Sequence, residues 1–391
     1  MKKTVFSTIV FLFLGSILFS CKGDGPEPIQ QLETKVIDCS TNVESGQTLI
    51  LENRNDGVDY IINCVYYVDG DLTIKPGVTI QFGTDSGIAV GESGSLQVLG
   101  LSTEQVVFTG EDKTAGAWKG IFIDSDDNKN RIEYAKIEYA GGGAFNSNGD
   151  KGSVVVYAGA KLNLNNTSLI SSETYGINAD YNGADLVLDN NTITSCNMPM
   201  RIKPQYAGKI NGGVFTGNTT DVIEIYSYTT GLSIQATWTN LGVPYRIIDF
   251  LTISPGGELT IDPGVIMEFG LDAGIYVDEG ANGPKPSLIA VGTVDEPIIF
   301  TGVNKVLGAW RGIYFDSPSA LNIIENVTIE YASNPNQKGA IDTWYGTVLN
   351  VHDVNFKHIQ RCSLHIYHNG SHAITYSNLF HDDVANTICE N

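Results

Sequence analysis

The chain has little positive charge. Its 391 residues include 23 Lys and Arg against 44 Asp and Glu, which gives a formal net charge of −21. Nucleic acids are bound mainly through cationic side chains, so this balance argues against a nucleic-acid-binding protein. Polyanions such as pectate or alginate would also be repelled, unless a local basic patch or a bound cation compensates.

The sequence also lacks helical periodicity. After residue 30 no stretch shows the apolar spacing of an amphipathic helix. No apolar run in that part of the chain reaches the length of about 20 residues needed to cross a bilayer. The one long apolar run extends from Thr4 to Phe19. We therefore expect an all-β chain whose single hydrophobic segment is a targeting signal.

The N-terminus has the organisation of a secretory signal, with a basic start (MKK) before the apolar run. The run ends in LFSC at residues 18–21, which resembles a bacterial lipobox. The resemblance implies that residues 1–20 are a lipoprotein signal peptide and that Cys21 is acylated, which would anchor the protein in a membrane. The alternative is an ordinary signal peptide with an incidental cysteine.

Residues 21–34 are rich in Gly, Pro and polar side chains, which is typical of a flexible tether. Lys22 follows Cys21 directly, where an Asp would suggest retention in the inner membrane. We therefore expect an outer-membrane lipoprotein that faces the periplasm or the cell surface. Loss of Lys2 and Lys3 with the signal peptide would change the net charge from −21 to −23.

Two long segments of the chain occur twice. LTIKPGVTIQFGTDSGIAV (72–90) matches LTIDPGVIMEFGLDAGIYV (259–277), and GAWKGIF (116–122) matches GAWRGIY (308–314). The chain is therefore a tandem duplication. We call residues 35–225 the first copy and residues 226–391 the second copy. We expect them to form one continuous solenoid, although the pattern weakens between residues 214 and 250.

A shorter period runs inside each copy. Similar segments begin at Leu162, Leu186 and Ile210, 24 residues apart, and each period contains about three short runs of alternating apolar residues bounded by Gly, Asn, Asp and Ser. Asn166 and Asn190 fall in register, as in an amide ladder at a turn. Three strands per turn predict a parallel β-helix, in which stacked turns bury a shared core.

The sequence resembles the right-handed parallel β-helix of the pectin-lyase-like superfamily. It is most similar to tandem β-helix lipoproteins of the Bacteroidetes type. The resemblance covers residues from about 50 to 391 and implies a solenoid of about 12 coils. It defines a scaffold and no chemistry. A β-propeller is the alternative architecture, but its blades need longer periods and antiparallel strands.

The cysteines are placed at the ends of the expected rod. Cys39 and Cys64 are separated by about one coil, and so are Cys362 and Cys389. Residues one coil apart lie roughly 4.8 Å from each other, which suits a disulfide. We expect both disulfides. Cys196 should be a free and largely buried thiol.

The candidate binding residues are the cation-flanked tryptophans of the repeated motif, Trp118-Lys119 and Trp310-Arg311. A tryptophan face can stack on a sugar ring, and an adjacent cation can bond its hydroxyl groups. The alternative is that each tryptophan packs beneath the loop before it. The Gly- and Asn-rich loop at residues 141–152 could form one wall of a groove.

Two clusters of polar side chains are candidate metal sites. His358 and His381, with Asp383 nearby, could bind Zn²⁺ if they stack on neighbouring coils. The alternative is a polar ladder at the end of the rod. Three further carboxylates could bind Ca²⁺, as in lyases of this fold, or form a solvated turn. They are Asp124, Asp126 and Asp127. No other cofactor is expected.

The sequence favours a monomeric, lipid-anchored protein that binds an extracellular glycan or another envelope component without cleaving it. One alternative is a polysaccharide lyase or glycosidase. Residues 201–203 (RIK) resemble the substrate-binding motif of polygalacturonases, but the other motifs of that family are missing. No pair of carboxylates is stacked as glycoside hydrolysis requires. A structural adhesin or spacer is the other alternative. A ladder of exposed aromatic rings would favour glycan binding.

Overall fold

The structure is a computed structural model that describes residues 32–390, apart from residues 55–56, 229–230, 281–282 and 369–372. The expected signal peptide, Cys21 and most of the tether lie outside the described residues. No helix in the described part of the chain is long and apolar enough to cross a membrane.

The described residues form 33 strands and one short helix. The strands of the first copy are β1 (Lys35–Val36), β2 (Thr48–Leu51), β3 (Tyr60–Ile62), β4 (Val65–Val68), β5 (Asp71–Ile74), β6 (Thr79–Phe82), β7 (Gly87–Val90), β8 (Ser95–Leu99), β9 (Val106–Gly110), β10 (Gly120–Ile123), β11 (Arg131–Glu133), β12 (Ala135–Glu138), β13 (Val154–Val156), β14 (Lys161–Asn165), β15 (Ser168–Ile170), β16 (Tyr175–Ala179), β17 (Asp185–Thr194), β18 (Met198–Ile202), β19 (Ile210–Val214) and β20 (Ile223–Ile225). The helix, α1, is Pro204–Ala207. The strands of the second copy are β21 (Gln235–Trp238), β22 (Tyr245–Ile247), β23 (Phe250–Ile253), β24 (Glu258–Ile261), β25 (Ile266–Phe269), β26 (Gly274–Val277), β27 (Ser287–Val291), β28 (Ile298–Gly302), β29 (Gly312–Phe315), β30 (Ile323–Glu330), β31 (Gly339–Thr343), β32 (Val348–Ile366) and β33 (Ala373–Glu390).

The strands stack in three parallel columns, which we call faces 1, 2 and 3. The chain passes through the three faces in this order in each turn. In the first copy, face 1 contains β2, β5 and β8, face 2 contains β3, β6 and β9, and face 3 contains β4, β7 and β10. Near the C-terminus β32 and β33 bend through more than one face. The fold is therefore an all-β parallel β-solenoid, as the sequence predicts.

The solenoid has about 14 turns, slightly more than the expected 12. Turns near the junction of the copies are shorter than the 24-residue period, since Arg246 and Glu268 are in register at a separation of 22 residues. Residues from Lys35 onward also contribute to the stack, because β1 pairs with β3.

Inward and outward side chains alternate along each strand, and the inward ones form the core. In β5 and β6, for example, every second side chain is fully buried, including Leu72, Ile74, Ile80 and Phe82. These side chains belong to one apolar cluster that continues through both copies. Burying an aliphatic or aromatic side chain contributes roughly 1.5–3 kcal/mol, so the stack of inward positions dominates the stability of the fold.

Residues in the left-handed region make the corners between strands. Asn166 and Asn190 lie one above the other with φ of 51° and 53°, and Asn is tolerated there because its short side chain bonds locally. The Asn190 Nδ2 donates to Asn166 Oδ1 at 2.8 Å. The predicted amide ladder is therefore confirmed.

The second copy is rotated by one face relative to the first. On face 3, β20 of the first copy pairs with β22 of the second, with Ile223 opposite Tyr245. The counterpart of β22 in the first copy is β3, which lies on face 2. Likewise β7 lies on face 3, whereas its counterpart β26 follows β25 onto face 1, where it pairs with β23. Strand pairing crosses the junction on face 3, and matching side chains of the two copies point in different directions.

Both expected disulfides are confirmed. Cys39 bonds to Cys64 and Cys362 bonds to Cys389, each with a Cα–Cα distance of 6.1 Å. Each bond closes about one turn, which contributes ~3 kcal/mol on the chain-entropy model. Cys196 is free and buried, also as predicted, and burial raises the pKa of its thiol to about 11.

The second glycine of GAWKGIF and GAWRGIY explains why the motif is kept in both copies. Gly120 and Gly312 have φ of 117° and 113°. A Cβ at Gly120 would collide with the carbonyl oxygen of Gly152, and one at Gly312 would collide with that of Ala340. The bend before β10 and β29 therefore requires glycine for both backbone conformation and space.

We predict that Gly120→Ala and Gly312→Ala each lower the free energy of unfolding by more than about 3 kcal/mol, measured by denaturant titration. Gly159→Ala is the control, because Gly159 has φ of 77° but an added Cβ would meet nothing within 4 Å. It should cost only about 1–2 kcal/mol. Equal losses at all three sites would contradict the close-packing argument.

Candidate functional site

The two tryptophans of the repeated motif are in the core. Trp118 and Trp310 are both fully buried. Trp118 stacks on Phe82 with ring centroids 3.9 Å apart, and its Nε1 donates to the Glu138 carbonyl at 2.8 Å. Trp310 repeats both contacts with Phe269 and Glu330. Neither ring is available to a ligand, so the predicted stacking platform at these residues is wrong.

The adjacent cations hold local structure. The Lys119 Nζ donates to the Ala144 carbonyl at 2.7 Å and so ties down the 141–152 loop. The Arg311 guanidinium lies over the Phe250 ring, 4.9 Å from its centroid, and its Nε is 3.8 Å from Asp272. These contacts explain why a cation follows tryptophan in both copies without requiring a ligand.

A row of aromatic rings does lie on the surface of the first copy. Phe122 projects outward from β10 on face 3, 5.3 Å from Phe145 and 5.5 Å from Tyr157. The Tyr157 ring is in turn 4.4 Å from that of Tyr181. All four side chains are partly exposed. We call Phe145, Phe122, Tyr157 and Tyr181 ladder 1.

The second copy has a corresponding row, which we call ladder 2. Tyr276 and Tyr314 project from β26 and β29 with centroids 5.4 Å apart, and Trp344 stacks on Tyr367 at 4.3 Å with an angle of 22° between the rings. Trp344 is 40% exposed. Tyr314 is the counterpart of Phe122 and Trp344 that of Tyr157. Two members of each row are therefore at matching positions, whereas Tyr276 matches Ala89 of the first copy.

Ladder 1 runs between two polar clefts. One has a volume of about 340 Å³ and is lined by Glu92, Asp124 and Asp126 with the backbone next to Tyr157. The other has a volume of about 190 Å³ and lies between the 141–152 loop and face 3. Its polar lining comprises Asn148, Asp150, Lys151, Thr174, Tyr175, Asn178, Asp180 and Arg201. The loop therefore forms one wall of a groove, as the sequence suggested.

Hydrogen bonds to Asp150 hold this wall in place. The Tyr181 hydroxyl donates to the Asp150 carboxylate at 3.0 Å, and Asn146 Nδ2 donates to it at 2.6 Å. The Tyr181 hydroxyl also accepts a bond from Asn148 Nδ2 at 3.1 Å. Asp150 is buried. The Asp150 carboxylate therefore positions Tyr181 and the loop.

Other groups in the smaller cleft retain capacity for a ligand. Asn178 is 5% exposed; its Nδ2 donates to the Lys151 carbonyl at 3.3 Å, but its Oδ1 has no hydrogen-bond partner among the described residues. A buried acceptor without a partner is costly, so it favours an incoming donor. Arg201 lies 2.9 Å from Asp180 and 3.3 Å from Glu224.

Burial raises the pKa of carboxyl groups beside both ladders. It raises the pKa of Asp180, although the nearby Arg201 acts in the opposite direction. Burial, with Glu92 close by, raises the pKa of Asp124. In the second copy burial, with Glu279 close by, raises the pKa of Asp316 to about 6. Each ladder therefore has a partly desolvated carboxyl group beside it that can exchange hydrogen bonds with a neutral polar ligand.

The two histidines proposed for zinc are not brought together. Phe356 is in register with His381, which places Asp383 rather than His381 beside His358. The His358 Nδ1 lies 2.8 Å from Asp383, and the His381 Nδ1 lies 3.0 Å from Ser363 Oγ. The expected pairing used an offset of 23 residues, whereas the strands pair at 25. The arrangement is the polar ladder that the sequence offered as the alternative.

The three carboxylates proposed for calcium are also divided. Asp124 and Asp126 line a cleft, whereas Asp127 lies 3.5 Å from Lys129, which also contacts Asp71 at 2.7 Å. Among the residues that the structure describes, no three His, Cys, Asp or Glu side chains converge so that they could hold a metal ion.

The sequence reasoning missed the aromatic ladders. The available signal was the duplication, because the 187-residue offset that matches residues 72–90 also carries Tyr157 to Trp344. Aromatic residues at matching outward positions of both copies are not needed for the core. The tryptophans of the most similar motif were predicted instead, and the similarity of that motif reflects packing.

No protein-family model matches the chain, and no curated protein matches it. Among solved structures, it is similar to the surface protein and adhesin PfbA of Streptococcus pneumoniae. The identity is 12%, the alignment covers 86% of this chain and 92% of the other, and the TM-score is 0.27. A likeness at this level says nothing about the function of this chain.

We predict that truncating the buried tryptophans destabilises the protein more than truncating the exposed one. Trp118→Ala and Trp310→Ala should each lower the free energy of unfolding by about 3–5 kcal/mol, because each leaves a cavity and an unpaired carbonyl. Trp344→Ala should cost less than about 1.5 kcal/mol, since its ring is partly solvated. Denaturant titration measures all three. A similar loss for Trp344→Ala would mean that its ring is a core element rather than a surface one.

Proposed function

We propose that the protein is lipid-anchored in the bacterial outer membrane and binds an extracellular glycan without cleaving it. The observation that carries the proposal is the pair of partly exposed aromatic ladders, one in each copy, which share two matching positions. Rings spaced by about one turn offer apolar faces to successive sugar units, and the spacing follows from the stacking of the strands.

The polar groups beside the ladders support a sugar ligand. A sugar presents several hydroxyl groups that both donate and accept hydrogen bonds. Ladder 1 is flanked by the free Asn178 Oδ1, the Arg201 guanidinium and the carboxyl groups of Asp124 and Asp180. A few placed polar groups around apolar surface are typical of small-ligand sites.

The charge of the chain narrows the choice of glycan. A net charge of −21 and carboxyl groups on both sides of ladder 1 favour a neutral polymer over an acidic one. Anchoring through Cys21 rests on the lipobox-like segment at residues 18–21, and it would place the folded solenoid outside the inner membrane.

Two features favour binding over catalysis. Asp150 is occupied by Tyr181 and Asn146, so it is poorly placed to transfer a proton to a ligand. Burial raises the pKa of Tyr175, whose hydroxyl accepts a hydrogen bond from Arg201, and this shift disfavours a phenolate base. A spacer with no ligand would have no reason to keep exposed rings at matching positions.

The test is affinity electrophoresis of residues 22–391 through gels that contain barley β-glucan, galactomannan, xylan or polygalacturonate. We expect retardation by a neutral polymer. Tyr157→Ala and Trp344→Ala should each weaken binding about ten-fold or more at the affected site, or about 1.4 kcal/mol.

Phe380→Ala is the matched control, because Phe380 is 56% exposed on β33 but belongs to neither ladder. It should bind as the wild type does. Absence of retardation by every polymer would contradict the proposal for these glycans. Release of reducing or unsaturated sugars would contradict its non-catalytic part.

A further inference from the structure

The two ladders lie on different sides of the solenoid. Ladder 1 is built on β10 and the ends of β13 and β16, all of which belong to face 3. Ladder 2 is built on β26 and β29 and the ends of β31 and β32, which belong to face 1. The cause is the rotation of the second copy by one face. If the second copy had continued on the same faces as the first, both ladders would lie on face 3 and form one line.

The ladders are also separated along the axis. After β16, which carries the end of ladder 1, face 3 continues through β18, β20, β22 and β25 before β26 begins ladder 2 on face 1. Four turns at roughly 4.8 Å each place about 20 Å between the two rows. A ligand that fills one row therefore ends well before the other begins.

The surface beyond ladder 1 leads along face 3. Arg201 lies over Tyr226 at 4.3 Å, and further along the same face Arg246 pairs with Glu268 at 2.7 Å. This polar surface continues in the direction of the axis. A chain that follows ladder 1 is thus directed along face 3, whereas the rings of ladder 2 project from face 1.

We propose that each ladder holds a separate glycan chain, so that the protein cross-links two chains. The inference rests on the proposed glycan binding and adds a function to it. A single chain that used both ladders would leave face 3, pass a corner of the solenoid and turn back along the axis. Two chains meet both rows without bending, and joined sites then give cross-links rather than avidity for one chain.

The experiment uses the polymer that retards the wild-type protein most, together with its hexasaccharide. Calorimetric titration with the hexasaccharide should give two sites per protein. Mixing the protein with the full-length polymer should give large particles by light scattering, with a maximum at intermediate protein-to-polymer ratios.

Single-ladder variants separate the possibilities. Trp344→Ala should leave one hexasaccharide site, bound within two-fold of its wild-type affinity, and should abolish the large particles. Tyr157→Ala should do the same at the other ladder. If the Tyr157→Ala protein unfolds, Tyr157→Leu takes its place. The control Phe380→Ala should retain two hexasaccharide sites and the large particles.

The outcomes distinguish this inference from the one on which it depends. One hexasaccharide per wild-type protein overturns cross-linking but leaves glycan binding intact. Two hexasaccharide sites without large particles, together with a ten-fold or greater loss of polymer affinity in either variant, would mean that both ladders hold one chain. That result also overturns cross-linking. If no polymer retards the protein and no titration gives a heat of binding, both glycan binding and cross-linking are contradicted.

Discussion

The structure depends on parallel, in-register pairing of each strand with the strands one turn away. This pairing places inward side chains above inward side chains and outward ones above outward ones. The same constraint that stacks Leu162 on Leu186 in the core stacks Tyr276 on Tyr314 at the surface. A residue type that recurs once per turn therefore forms a column along the solenoid. Ladders 1 and 2 are surface columns that packing of the core does not require.

Duplication of a solenoid adds a second constraint, because the new copy must continue the stack that is already there. The first copy does not end after a whole number of turns, so the second begins one face later. The joint is held by the β20–β22 pairing on face 3. Identical sequence motifs consequently have identical cores and differently directed surfaces. Trp118 and Trp310 show the first effect, and the two ladders show the second.

Much of the fold could be predicted from the sequence, because its determinants are local and periodic. The alternation of apolar residues, the Asn166–Asn190 corner and the one-turn spacing of the cysteines each express the stacking directly. Strand register could not be predicted so well. The pairing of His358 with His381 assumed an offset of 23 residues, whereas β32 and β33 pair at 25 residues from Val348 to Ile359. A shift of two residues leaves the inward and outward alternation unchanged, so the apolar pattern alone does not decide between the two offsets.

The site was less predictable, since exposure depends on loops. Val155 occupies an outward position on β13 between Phe122 and Asn178 but is fully buried. Trp118, in a motif that looks like a ligand platform, stacks inside on Phe82. Residue type gives the capacity to bind a sugar, but only the path of the loops decides which rings remain accessible. A comparison of the two copies at outward positions would have been the better guide.

A pair of engineered cysteines can report whether the second copy is rotated by one face. Glu224 and Arg246 are register partners across the junction, so Glu224→Cys with Arg246→Cys should form a disulfide under mild oxidation, because neighbouring turns bring the two residues within bonding range. The pair Glu224→Cys with Thr252→Cys should not, since β23 lies on face 1, whereas a junction without rotation would place β23, the counterpart of β4, on face 3. Thiol titration and mass spectrometry would detect the bond. A disulfide in the second pair and none in the first would contradict the rotated junction.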